Sequence, residues 1–421
     1  MNIRKDISAD RAVGQEALAP LYTRVNAAGI VRAVSPSVVR QLGISAVDLI
    51  GAPLRVMQVC DQPQVLTDVI TEALAAGEPA VAYQKIRMAE GRDVWMVVFH
   101  LPTEDGLLQL RIPALAETFS GVPELYAKLN ADTGSRASQL QVLQRGFAAY
   151  GGYSVHAIGQ ELPARADALG KPRNQRAHVM HRVSDALDNA LKEKIELMRS
   201  FNALQLIPNN MRIVASRLEP AGGPISAIAE NYKASSAAIS QRLASFISAP
   251  DSLCEQLRAQ IMRMLIQMAA RRLLLDVRST NFTPVAGQEA ESPALDQRWQ
   301  EECTMMIATA DRIGRESRSA MAGAEEFAAR FGRASADIRR HMLGLDTIRV
   351  LGRVECSRLH ESEGLSATID QLDAFHSEIR TRLEAIIRYA EVVSEAMGEI
   401  PGTDQRTATR PRNMAFHAVR T

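Results

Sequence analysis

Two segments far apart in this chain repeat one pattern, and that repeat constrains the fold more than any other feature. The first reads MRIVASRLEPAGGPISAI (211–228) and the second GRVECSRLHESEGLSATI (352–369). Aligning Ser216 with Ser357, 141 positions on, also pairs Arg212 with Arg353, Ile213 with Val354, Arg217 with Arg358, Leu218 with Leu359, Gly223 with Gly364 and Ile228 with Ile369. Each copy runs helical pattern, short polar break with glycine, helical pattern, which is the layout of an antiparallel helical hairpin. Two hairpins predict an elongated all-α bundle, and such a bundle transmits signals more often than it encloses a pocket for chemistry.

The flanking residues extend the pattern. From Arg173 to Arg217 there is no glycine and one proline, Pro208, which predicts a kink or break near Ile207. Leu187, Leu191, Ile195 and Met198 form one apolar helical stripe. Glu219-Pro220-Ala221-Gly222-Gly223-Pro224 is a strong reversal, and Ile225–Ile247 is its return arm. Ser252–Val277 reads as a third long helix, Asn281–Pro293 as a loop, Leu295–Leu359 as a very long helix, and Leu365–Met397 as the second return arm. The helical bundle is therefore expected over 173–398, with tips at 218–224 and 360–364. Only 5% of the residues are aromatic, while Ala, Leu, Arg, Glu and Met are plentiful, which favours helix for most of the length.

The N-terminal third has a different rhythm. Leu21–Val25 and Ile30–Val34 are strand-like and flank the turn Asn26–Gly29. Ser35-Pro36 opens a short helix ended by Gly43, and Ser45 caps another short turn ended by Gly51. Val65–Leu74 is an amphipathic helix stopped near Gly77. Three strands follow, Ala80–Met88, Val94–Leu101 and Leu107–Ile112, with turns at Glu90-Gly91 and Glu104-Asp105-Gly106. Residues 1–17 are expected to be flexible, 131–172 to form a connector, and 399–421, a basic tail, to be disordered. Within the connector, Gln139–Tyr150 reads as helix ended by Gly151-Gly152, and Tyr153–Pro172 as irregular.

This order of strands and helices resembles a PAS sensor domain. The resemblance rests on YTRVNAAGIVRAVSPSVVRQLGISAVDLIGAP, on AEGRDVWMVVFHLPTEDG and on the exit segment PALAETFSGVPELY, and it covers 18–130. It implies an antiparallel five-stranded sheet with short helices, an α+β module ahead of the helical bundle. PAS domains hold haem, flavin, small ligands or nothing. Of the Arg-His-Pro-Asp-x-Pro segment of the flavin-binding aerotaxis branch only Asp61 and Pro63 match, and the branch's tryptophan falls on Ala80. Neither flavin nor haem is favoured. Asp61, Trp95 and His100 are the candidate cofactor contacts.

The first hairpin tip, NMRIVASRLEPAGGPISAIA, resembles the cytoplasmic tip of methyl-accepting chemotaxis receptors, with Asn210, Ala215, Arg217 and Ala229 in matching positions. The hallmark's central glutamate falls on Val214, and the one beside the turn is shifted to Glu219. The second copy keeps Glu355 and Arg358. In that family the tip binds a histidine kinase and its coupling protein. The resemblance therefore implies that Asn210, Arg212, Arg217, Glu219, Arg353, Glu355 and Arg358 form a partner-binding tip, with intrabundle ion pairs as the competing role for the charged ones.

The net charge of +1 gives no reason to expect nucleic acid or an anionic membrane. No run of about 18 apolar residues occurs, and the first residues lack an apolar signal region. The four cysteines are widely scattered and suit a reducing cytoplasm. His178 and His181 have metal-compatible spacing but no acidic or cysteine partner beside them. There is no phosphate loop, catalytic triad or metal cluster, so no enzyme is expected. The reading is a cytoplasmic, homo-oligomeric (dimeric) signalling protein in which a PAS module controls a chemoreceptor-like bundle. The alternative is a non-catalytic scaffold with a ligand-free PAS dimerisation module.

Overall fold

The computed structural model describes residues 17–57, 61–87, 93–116, 121–147, 150–204, 206–217, 222–243, 252–281, 293–358 and 363–399. The expected N-terminal arm, the Glu90-Gly91 turn, the loop after Asn281, the turn residues 218–221 and 359–362, and the basic tail lie outside them.

The N-terminal part is a five-stranded antiparallel sheet built from β1 (Leu21–Asn26), β2 (Val31–Val34), β3 (Ala80–Arg87), β4 (Asp93–Thr103) and β5 (Gly106–Pro113), in the order β2-β1-β5-β4-β3. Asn26 closes the first turn by accepting from the N–H groups of Ala28 and Ile30 through its side-chain oxygen, at 3.2 and 2.9 Å. Gly106 has φ +147°, and a Cβ there would stand 2.4 Å from the carbonyl oxygen of Val25, so this edge of β5 meets β1 only because the residue is glycine. Between β2 and β3 lie α1 (Pro36–Leu42), α2 (Ala46–Leu49), a 3₁₀ turn (Leu54–Met57) and α3 (Gln64–Ala75). Pro36 stands in the first turn of α1, and Gly43 ends it at φ +65°. The Ser45 hydroxyl accepts from Asp48 N–H and caps α2.

Both faces of the sheet are covered. On one, Leu21, Val25, Val31, Val34, Met96 and Val98 pack with Val38, Leu42, Leu49 and Met57. On the other, Tyr22, Val97, Phe99, Leu101, Leu108, Leu110 and Ile112 join the apolar core of the helices that follow. One continuous core therefore runs from the sheet into the bundle.

Those helices are α4 (Val122–Ala131), α5 (Arg136–Phe147), α6 (Tyr150–Ala168), α7 (Gln175–Leu204), α8 (Leu206–Ser216), α9 (Gly223–Leu243), α10 (Leu253–Asn281), α11 (Pro293–Arg358) and α12 (Glu363–Gly398). The expected break near Ile207 is not seen in the described residues, where Leu206 and Ile207 are already helical; α7 and α8 flank residue 205, which lies outside them, and Pro208 is the third residue of α8. The stretch expected to be irregular, Tyr153–Pro172, is instead mostly α6, and the Gly151-Gly152 expected to end a helix lies inside it. Contacts override the local breakers. The Glu161 carboxylate accepts from Tyr83 O–H (2.9 Å) and from the Leu115 and Ala116 N–H groups (2.6 and 3.0 Å), Ser154 donates to the Val81 carbonyl, and Arg165 donates to the Leu18 carbonyl. These bonds fasten α6 to the sheet.

In the bundle α7 packs on α12, α12 on α11, α11 on α9 and α10, and α10 back on α7. The result is a closed antiparallel four-helix section. Its longest member, α11, has 66 residues, about 100 Å at 1.5 Å per residue. No helix among the described residues is long and apolar enough to cross a membrane.

Candidate functional site

The two hairpin ends lie together. A Cβ on Gly352 of α11 would touch Ile228 of α9 at 3.4 Å. Gly222 begins the first return arm, and a Cβ there would fall 2.0 Å from the Ala215 carbonyl oxygen, so this reversal needs a glycine for close approach.

The candidate tip residues divide into three groups. Arg212 and Arg353, equivalent in the repeat, each reach across their own hairpin: Arg212 to Glu230 at 3.3 Å, Arg353 to Asp373 at 2.7 Å and Asp370 at 3.3 Å. Arg358 pairs one turn back with Glu355 at 3.2 Å. Arg212, Arg353 and Arg358 stay exposed, so pairs of this kind contribute little to stability and leave the cations at the surface. Asn210 and Arg217 are exposed, and Glu219 lies outside the described residues.

Sequence reasoning missed an apolar component. Ile213 and Val354, again equivalent in the repeat, are 54% and 48% exposed, and Val350 and Leu351 are 50% and 54% exposed. The signal was present, because Ile213 pairs with Val354 in the repeat, but an isoleucine on a helical stripe reads as core. The bundle end therefore presents aliphatic side chains among arginines.

Below the tips, a polar layer crosses three helices. Tyr232 of α9 lies 3.4 Å from His376 Nδ1 of α12, and His376 Nε2 is 2.9 Å from Asp346 Oδ1 of α11, within ion-pair distance but out of line for a hydrogen bond. Arg349 of α11 donates to Asp373 of α12 at 3.0 Å. Burial lowers the His376 pKa, and Asp346 partly opposes that shift.

At the other end of α11, Glu302 joins the bundle to the sheet. Arg24 of β1 donates from Nε and Nη2 to its two oxygens at 2.7 and 2.9 Å, and the Tyr22 hydroxyl donates to the first. Burial, then Glu302 itself, raises the Tyr22 pKa well above the usual phenol value, so the hydroxyl keeps the proton it donates. Tyr22 and Arg24 share a face because they are two apart on a strand.

The three candidate cofactor contacts do not converge. Asp61 is exposed and pairs with Lys85 at 2.6 Å. Trp95 lies on the bundle-side face and meets Tyr126 edge-on at 5.4 Å. His100 points to the opposite face, where a buried polar chain runs across three strands. Arg111 donates from Nη1 to the Thr23 hydroxyl at 2.7 Å and from Nη2 to Gln109 Oε1, and Gln109 Nε2 lies 3.0 Å from His100 Nδ1. Gln109 offers its carbonyl oxygen to Arg111, so its NH₂ donates to His100 Nδ1 and the imidazole proton sits on Nε2. Among the described residues His100 Nε2 and Arg111 Nε have no hydrogen-bond partner. Gln84 on the same sheet donates to Gln62 at 2.7 Å, and its own carbonyl oxygen meets no donor among the described residues.

A cleft of about 1480 Å³ lies between α4, α6, α7 and α10, lined by His156, His178, His181, Asp185 and Asp188 among others. His181 packs against Gly159, and among the described residues no group of three or more His, Cys, Asp or Glu has metal-binding geometry. The class these features define is an α+β sheet module continuous with an all-α four-helix bundle. No protein-family model matches the chain, and no curated protein matches it.

Proposed function

We propose that this chain is a signal-transduction protein in which the sheet is the input module and the paired hairpin tips are the output surface. One observation carries the reading: a single unbroken helix, α11, holds the sheet at Glu302 and carries the exposed tip residues Val350, Leu351, Arg353, Val354 and Arg358. Glu302 and Arg358 are 56 residues apart, about 84 Å along the axis. A shift of β1 against Glu302 displaces or rotates the whole helix, and packed helices have discrete alternative arrangements that such a shift biases. The strand and helix order supports a PAS-like input, and the repeated tips support a chemoreceptor-like output directed to a histidine kinase and its coupling protein in the cytoplasm. A dimer is the assembly this reading expects.

The test is kinase autophosphorylation with coupling protein and the full-length chain. The chain should bind the kinase assembly and change its rate. Ile213→Asp with Arg217→Glu should abolish binding without lowering the melting temperature, because both side chains are exposed. Glu302→Gln should keep binding and shift the rate, because it loosens the input end only. No binding sinks the proposal. Binding that never changes the rate, in either variant, favours the scaffold alternative.

A further inference from the structure

We propose that the C-terminal segment of this chain, residues 400–421, docks in the cleft between α4, α6, α7 and α10 and clamps the sheet-bearing helix α6 to the bundle. The docking stands on where the chain leads and on the chemistry of the cleft; its consequence for signalling rests on the proposed function.

Helix α12 delivers the segment to the cleft. Glu399, one residue past its end, accepts from Arg182 Nη1 at 2.7 Å, and Arg182 is one of the cleft's lining residues. The chain beyond Glu399 therefore starts at the rim. Along α7 the cleft runs from Gln175 to Asp188, about 20 Å at 1.5 Å per residue. Met414 is 15 residues past Glu399, a reach of up to about 50 Å, so the last part of the segment can lie anywhere in the cleft. A segment tethered this closely meets its site at about millimolar effective concentration, and individually weak contacts suffice.

The cleft and the segment match in size and chemistry. A volume of about 1480 Å³ exceeds the roughly 300–1,000 Å³ of a small-molecule site and suits a peptide. Half-buried Leu125, Leu162 and Met268, one each from α4, α6 and α10, supply apolar wall, and methionine adapts its shape to an occupant. In the segment, Met414, Ala415, Phe416, Ala418 and Val419 form an apolar run. Around it Arg406, Arg410, Arg412 and Arg420 outnumber the one acid, Asp404. On α7, Asp185 and Asp188 stand about one and two turns past Arg182. Burial first, then the Asp188 charge, raises the Asp185 pKa, against the pull of His156 and Lys192. An arginine beside the two carboxylates lowers that repulsion, as Arg258 already does for Asp188 at 3.1 Å.

The walls belong to both halves of the molecule. Helix α6 is fastened to the sheet through Glu161 and Ser154, while α7 and α10 belong to the four-helix section. A segment lying between them holds the input side against the output side, and its release lets α6 move with the sheet.

The experiment puts a photocrosslinker into the full-length protein, Phe416→p-benzoylphenylalanine, and maps the adducts by mass spectrometry of the monomer band. Irradiation should join residue 416 to peptides carrying Leu125, Leu162 or Met268 of the same chain. Asp185→Arg, at an exposed position, should lower that yield by about fivefold or more, because it sets like charges against each other. If that variant melts early, Arg410→Glu with Arg412→Glu, both past the end of α12, should lower it instead. Adducts scattered over other surfaces, adducts only between chains, or a yield unchanged in the folded variants overturns the docking. The kinase assay then separates the two readings. A crosslink that forms while the variants leave the kinase rate unchanged keeps the docking and removes its role in signalling. A chain that never binds the kinase removes the proposed function, and the crosslink still decides the docking.

Discussion

At the scale of single residues, His100 shows how burial sets protonation. Burial, then the nearby Arg111 charge, lowers its pKa to about 3. Above about pH 7 the imidazole is neutral both folded and unfolded. As pH falls below about 6.5, the ordinary histidine value, the unfolded chain takes up a proton that the folded chain refuses until about pH 3. The unfolded state then binds more protons, so stability falls with pH across that window. At pH 5 the loss from this residue is about 2 kcal/mol. His181, lowered by burial to about 4, adds to the same trend. His100→Gln should therefore flatten, though not abolish, the drop in urea midpoint between pH 7 and pH 5; equal drops in both proteins would refute the assignment. The position of His100 on a strand was legible in the sequence. The burial of Arg111 was not. In GLLQLRIP, alternation assigns Leu108, Leu110 and Ile112 to a core and turns Gln109 and Arg111 to water. Here the second face is covered too, by α1, α2 and the 3₁₀ turn, so the polar set is sealed inside.

At the scale of elements, legibility followed the capping and turn chemistry. The strands, α1 to α3 and the two return arms fall close to where serine, proline and glycine put them, because those signals act within a few residues. Helix α6 was illegible for the opposite reason. Its glycines and Pro163 argue against helix locally, and the interactions that override them come from Tyr83, Leu115 and His181, which sequence distance hides. Gly159 is the informative case: a Cβ there would meet the His181 ring at 2.4 Å. Overpacking of this kind costs about 1–3 kcal/mol, more than the roughly 1 kcal/mol that alanine gains over glycine in a helix. Gly159→Ala should lower Tm in the wild-type background. In a His181→Ala background, where the ring is gone, the same substitution should raise it. A loss of equal size in both backgrounds would show that the ring is not why residue 159 is glycine.

At the scale of the whole molecule, the division into sheet and bundle read from sequence meets a single core. Composition and rhythm change sharply near residue 130, which marks a change in secondary structure and says nothing about which surfaces are shared. Tyr22, Val97, Phe99, Leu101, Leu108, Leu110 and Ile112 face the helices, and α10 touches both β1 and β5. Each such side chain is worth about 1.5–3 kcal/mol when buried, so exposing the set of seven costs about 10–20 kcal/mol, as much as the 5–15 kcal/mol by which a typical domain is stable. The ties Tyr83–Glu161, Arg165 to the Leu18 carbonyl and Arg24–Glu302 would lose their partners at the same time. The sheet is therefore not expected to melt apart from the helices it rests on. Near-UV circular dichroism, sensitive to Tyr22, Trp95 and Trp299 at the junction, and far-UV circular dichroism, dominated by the bundle, should trace superimposable thermal transitions. A fragment of residues 17–135 should fail to give a soluble monomer, because its bundle-side face would be bare. Two resolved transitions, or a well-folded monomeric fragment, would mean that the shared core is a contact between independent units, and that strain at β1 is absorbed at the junction before it reaches α11.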